Sequence, residues 1–105
     1  MKIAGYATAE GTEKYCRRFL DRFALGYFHS VEKLRWSSIG LGTYLGKPDA
    51  ATDKLVEKAV IQSIEGGINV IDTAINYRRQ HGEKSIGDAL LNIVAKGKYN
   101  RDEFI

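Results

Sequence analysis

The stretch that most constrains the fold of this chain is Gly66 to Tyr77, which reads GGINVIDTAINY. A glycine pair suited to ending a helix leads into a short apolar run, Ile68 to Ile71. The run closes on a carboxylate, Asp72, and a phenol, Tyr77, follows five residues later. A continuous apolar run, rather than an alternating one, is the pattern of a strand buried in a parallel sheet. An acid at its end breaks that pattern, because an unpaired buried carboxylate is costly. In α/β folds the carboxyl ends of the strands are where sites are built. Asp72 and Tyr77 are therefore candidate site residues. The competing reading has Asp72 cap the next turn and Tyr77 pack over the rim.

The flanking segments supply partners for such a strand. Ser38 to Tyr44 (SIGLGTY) reads as a short strand entering a glycine-bearing loop, where a backbone or a ligand can come close. Its Gly-x-Gly lacks the third glycine and helix start of a dinucleotide fingerprint. Pro48-Asp49 opens a helix near 50–65, with Asp49 as cap and Val56, Ala59, Val60 and Ile64 on its apolar face. YRRQHG (77–82) reads as a polar loop. A further helix near 83–95 follows, with Ile86, Ala89, Leu90, Ile93 and Val94 at helical spacing and Gly97 as its stop. Asp102 to Ile105 looks like the start of a third strand. Strand, helix, strand, helix, strand is the order of a parallel α/β fold.

The first third of the chain is different. Residues 1 to 9 carry no pattern and read as a loose end. From Thr12, taken as N-cap, an amphipathic helix places Cys16, Phe19, Leu20 and Phe23 on one face and runs toward Gly26. Tyr27 to Ser38 reads as an irregular connection or one short strand near Leu34 to Ser37. His29 has no second ligand at metal spacing, and no metal site is expected.

Charge follows the same division. Residues 1 to 36 hold seven Lys/Arg against four Asp/Glu, and residues 37 to 105 hold nine against nine, so the net +3 belongs to the first segment. Two arginine pairs, Arg17-Arg18 and Arg78-Arg79, do not make a nucleic-acid stripe. No apolar run approaches the roughly 20 residues of a membrane span, and no apolar segment with a cleavage site opens the chain. Cys16 is the one cysteine, which excludes an internal disulfide and fits a reducing compartment. The expected location is cytoplasmic, with neither nucleic acid nor membrane as partner.

Taken together, Gly40-Leu41-Gly42-Thr43-Tyr44, Gly67 to Ala74 with Tyr77, and Glu83 with Ile86-Gly87 and Ala89-Leu90 resemble the aldo-keto reductase family. The resemblance covers about residues 37–105 and is carried chiefly by the DTAxxY block. It implies the first β-α-β-α units of a (β/α)8 TIM barrel, incomplete, preceded by a helical N-terminal extension over 1–36. That extension is not the short hairpin that usually precedes the family's first strand. The implied chemistry is hydride transfer between a nicotinamide cofactor, usually NADP, and a small carbonyl or alcohol. By resemblance Tyr77 is the general acid, and Asp72 pairs with a lysine that tunes the tyrosine. Gly42, Thr43, Tyr44 and Asp72 lie beside the cofactor. None of Lys84, Lys96 or Lys98 matches that lysine, and His81 does not match the family's catalytic histidine. A chain with these gaps is expected to be inactive by itself. The alternative is a non-enzymatic barrel piece that docks on another chain. Two or three parallel strands bury little apolar area, and an open sheet edge is a template for association, unless the Phe19 and Phe23 helix covers them.

Overall fold

The computed structural model describes residues 3–44, 46–74 and 76–105. Met1 and Lys2, read above as part of a loose end, lie outside the described residues. The chain order is α1 (Ala9–Arg17), β1 (Phe28–Val31), β2 (Leu34–Ser37), β3 (Gly40–Gly42), α2 (Ala50–Glu65), β4 (Val70–Asp72) and α3 (His81–Ala95). Short 3₁₀ turns at Tyr77–Gln80 and Arg101–Glu103 complete the list.

The local signals act where their chemistry predicts. Asp49 caps α2 by accepting from the Thr52 N–H at 2.8 Å. Gly66 and Gly67 end it: the Gly67 N–H donates to the Ile64 carbonyl and the Ile68 N–H to the Ser63 carbonyl. That bonding needs a left-handed residue, and Gly67 sits at φ +105°. The chain then turns directly into β4.

β3 and β4 pair in parallel, Gly40 with Val70, Leu41 with Ile71 and Gly42 with Asp72. α2 is the crossover between them. Val60 and Ile64 of α2 and Ala89, Leu90 and Ile93 of α3 form one side of the core. The other side comes from the N-terminal third. Tyr15 of α1 is fully buried, its ring within 5.0–6.2 Å of Phe19, Phe28, Tyr99 and Phe104. Its hydroxyl donates to the Ile64 carbonyl at 2.5 Å, which satisfies the one polar atom such burial would orphan. Burial, first of all, pushes the Tyr15 phenol well above its ordinary range.

The barrel expectation is corrected here. The strands form two separate two-stranded sheets, β1–β2 antiparallel and β3–β4 parallel, and the described residues contain no barrel. Barrel closure requires eight tilted parallel strands sharing one ladder. Here β3 and β4 have three residues each, and α1, the hairpin and the 99–104 segment pack into the same core. The N-terminal helix is accordingly part of the packing and not an appendage. It starts earlier than expected, at Ala9. Thr8, not Thr12, is the cap, accepting from the Gly11 N–H at 2.9 Å. It also ends earlier, at Arg17, where Arg18 turns toward Glu103.

Two further differences concern strands. Phe28 to Ser37 is a hairpin: β2 is the short strand expected at Leu34 to Ser37, while β1 and its pairing correct the reading of the extension as without a hairpin. Its two turn residues, Glu32 (φ 48°) and Lys33 (φ 71°), are both left-handed, the geometry normally marked by Asn-Gly. At the other end, 101–103 form a 3₁₀ turn closed by an Asn100–Glu103 capping box. Only Ile105 joins the sheet there, donating to the Asn69 carbonyl (2.8 Å) and accepting from the Ile71 N–H (3.0 Å).

Asn69 ties these parts together. Its Oδ1 accepts from the Ser37 N–H at 2.9 Å, and its Nδ2 donates to the carbonyls of Arg35 (2.9 Å) and Glu103 (3.3 Å). The residue is fully buried. Replacing Asn69→Leu strands these groups without water. We predict a loss of about 2–4 kcal/mol in unfolding free energy by urea denaturation, and a loss under about 1 kcal/mol would contradict the role.

Candidate functional site

The carboxyl ends of β3 and β4 lie side by side because the two strands are parallel and in register. Gly42 pairs with Asp72. The next residue, Thr43, donates twice to the Asp72 carbonyl, from its N–H at 3.1 Å and from its Oγ1 at 2.9 Å. Thr43 is 2% exposed, so these bonds are shielded from water. Tyr44 projects onward and is exposed, with its ring edge-to-face on Tyr77 at 5.0 Å between centroids. That arrangement suits the ring quadrupoles. Gly42 has open space where a side chain would stand, so a flat ligand can approach its backbone.

The structure thus gathers Gly42, Thr43, Tyr44, Asp72 and Tyr77 at one end of one sheet. It does not join the acid to the phenol: among the described residues the side chains of Asp72 and Tyr77 make no hydrogen bond or ion pair. The Asp72 side of the pairing is its backbone carbonyl, and the residue itself is exposed. A hollow of about 520 Å³ lies elsewhere, along α3, lined by Ile3, Gln80, Glu83, Lys84, Ile86 and Arg101 among others. It shares none of the five residues.

Between Tyr77 and α3 the backbone takes an unusual path. Arg78 (φ 51°), Arg79 (φ 53°) and Gln80 (φ 75°) are consecutive left-handed residues, and none is glycine. Each costs about 1–2 kcal/mol relative to ordinary backbone. Conformations of this kind persist only where the surroundings over-determine them. Gly82 permits a close approach: a β-carbon there would stand 3.1 Å from the Thr43 carbonyl oxygen and 3.3 Å from the Tyr77 β-carbon. The start of α3 is thereby held against both site loops.

The surroundings that hold the turn are polar and were missed in the sequence. Arg78 reads as half of an arginine pair in a polar loop, yet its side chain is fully buried. It bonds Asp53 of α2 at 2.5 Å. His81 Nδ1 lies 2.8 Å from the second Asp53 oxygen; of the polar loop of the sequence reading, Tyr77–Gln80 form a 3₁₀ turn and His81 and Gly82 open α3. No local signal marks this cluster, because Asp53 stands 25 residues before Arg78. His29, by contrast, is an exposed residue at 2.7 Å from the Ser38 hydroxyl. Among the described residues no group of three His, Cys, Asp or Glu side chains could hold a metal ion, and no helix is long and apolar enough to cross a membrane.

No protein family, curated protein or solved structure matches the chain.

The Asp53 cluster has a pH signature. Desolvation would raise the Asp53 carboxyl, but hydrogen bonds from His81 and Arg78 outweigh it and hold the group below its usual value. A lowered folded value means the stabilisation is present above the unfolded value and lost as pH falls through the folded one. The stability difference between the native chain and Asp53→Asn should therefore be full near roughly pH 6 and close below about pH 4. Urea melts across that range check it; a gap that stays constant would mean that the carboxylate charge does not hold the turn.

Proposed function

We propose that this chain is the N-terminal part of an NAD(P)H-dependent aldo-keto reductase-like oxidoreductase that does not turn over by itself. The observation that carries the reading is the meeting of Gly42-Thr43-Tyr44 with Asp72 and Tyr77 at the carboxyl ends of two paired parallel strands. The hairpin Phe28–Ser37 adds support, since the family usually has one before its first strand.

The residues fit one end of a dinucleotide site. Gly42 offers an unobstructed backbone beside Asp72, and Tyr44 an exposed aromatic face beside Tyr77. When bound, NADP in its reduced form supplies the hydride to a small carbonyl substrate. Tyr77 delivers the proton from its hydroxyl to the carbonyl oxygen, giving the alcohol. Thr43 fixes the β4 end through the Asp72 carbonyl, which sets where the turn to Tyr77 begins. Asp72 is left to hold a cation, and among the described residues no lysine pairs with it. For that reason the proton donor lacks its tuning partner in this chain. A reducing cytoplasmic setting accords with Cys16 as a buried free thiol.

A second reading, a non-enzymatic docking module, is favoured by the exposed side chains of Ile39 (59%) and Tyr44 (64%) flanking β3. The two readings separate in one assay. NADPH oxidation is followed with a panel of aldehydes, for this chain and for a form extended by any residues encoded after Ile105. The expected result is background turnover for the chain alone. The extended form should turn over and lose roughly 10²–10⁴-fold in Tyr77→Phe, the usual worth of general acid catalysis. Tyr77-dependent turnover by the chain alone would overturn the claim of inactivity. An extended form with no turnover, or with turnover indifferent to Tyr77→Phe, would overturn the reductase reading.

A further inference from the structure

The chemistry proposed above leaves one buried cation unused. Arg78 follows Tyr77 directly, and its guanidinium reaches three separate segments. Nε and Nη2 donate to the Lys47 carbonyl at 3.1 and 2.9 Å. Nη2 also donates to Asp53 Oδ1 in the first turn of α2 at 2.5 Å. Nη1 lies 3.5 Å from the Ser85 hydroxyl on α3. Lys47 belongs to the loop after β3, the loop that carries Thr43 and Tyr44. Arg78 belongs to the turn after β4, which carries Tyr77.

We infer that Arg78 is a positioning residue that clamps the loop after β3 to the turn after β4 and thereby holds the Tyr44 ring against Tyr77. Its importance for catalysis rests on the reductase reading; the clamp itself does not.

Three features make the clamp specific to arginine. A planar fork with five donors can serve a carbonyl and a carboxylate at once, whereas an ammonium is a single point charge. Full burial of the side chain requires that the charge be paired, and Asp53 supplies the pair. His81, on the other oxygen of Asp53, keeps that carboxylate oriented toward the turn. The left-handed run 78–80 is then explained as backbone that the clamp over-determines.

The test is nuclear magnetic resonance on the full chain. Cross-peaks between the Tyr44 and Tyr77 rings, and their ring-current shifts, report the clamp. Slow amide exchange at Thr43, whose N–H donates to the Asp72 carbonyl, reports the β3–β4 pairing independently, and that at Ile71, whose N–H donates to the Ile105 carbonyl, reports the other edge of β4. In Arg78→Met the ring cross-peaks should vanish and both sets of shifts move to free-tyrosine values while the strand amides stay protected. Arg78→Lys should recover less than roughly half of the cross-peak intensity, because it cannot span both acceptors. Persisting cross-peaks in a folded Arg78→Met protein would overturn the inference. If Arg78→Met loses strand protection as well, Asp53→Ala decides, since Asp53 is partly exposed and its loss frees the fork from α2. Cross-peaks weakened with protected strands support the clamp, and cross-peaks unchanged overturn it. Absence of Tyr77-dependent reduction would remove the reductase reading and leave these spectra, and the clamp, untouched.

Discussion

The structure depends on the Asn69 side chain. Two small sheets, neither able to stand alone, meet where this one amide is shared between the hairpin, β4 and the 100–105 segment. A two-stranded sheet is marginal in water. Pairing is therefore stabilised from outside the ladder, by a buried amide whose donors and acceptor are all used. Buried polar groups that are fully satisfied specify one arrangement, because every alternative leaves some of them unpaired. Beside it, Glu103 is fully buried and held by Arg18 at 2.8 Å and by the Asn100 N–H at 2.7 Å. The two side chains together bring the ends of the chain to the same core.

That arrangement explains how so short a chain closes an apolar interior. β3 and β4 present Leu41 and Ile71 toward α2 and α3, and Tyr15 of α1 with Phe19 of the turn after it lie across the middle. The aromatic cluster around Tyr15 replaces the further strands that a larger α/β protein would use. Its geometry is mostly tilted or edge-on, as ring quadrupoles favour. The polar end of the sheet is organised by different means. There Thr43 bonds the Asp72 carbonyl, the Tyr44 and Tyr77 rings meet, and a buried arginine spans the two loops. Rigid strands deliver these groups to one place and loops present them, the usual division of labour in α/β proteins.

The sequence by itself determined the elements whose causes are local. Asp49, Gly66 and Gly67 bound α2 through capping bonds made within a few residues. The apolar spacing of α3 shows one buried face, and Ile68 to Ile71 marks a strand ending at an acid. Asp72 and Tyr77 could be singled out in advance because one closes the apolar run and the other follows it, whereas Gly42, Thr43 and Tyr44 were named as site residues by resemblance. Only the tertiary structure decided the rest, since the causes are distant in the chain. The hairpin depends on Glu32 and Lys33 accepting left-handed backbone without a glycine, and α1 is capped at Thr8, where the chain docks on Asp102. Among the described residues the two sheets stay separate and contain no barrel, and α1 and the 99–104 segment share the core with β3 and β4. Arg78 is buried because Asp53 and the Lys47 carbonyl converge on it, from 25 and 31 residues away. A charge in sequence looks solvated until the fold places a partner beside it. Burial and pairing are properties of the assembled chain.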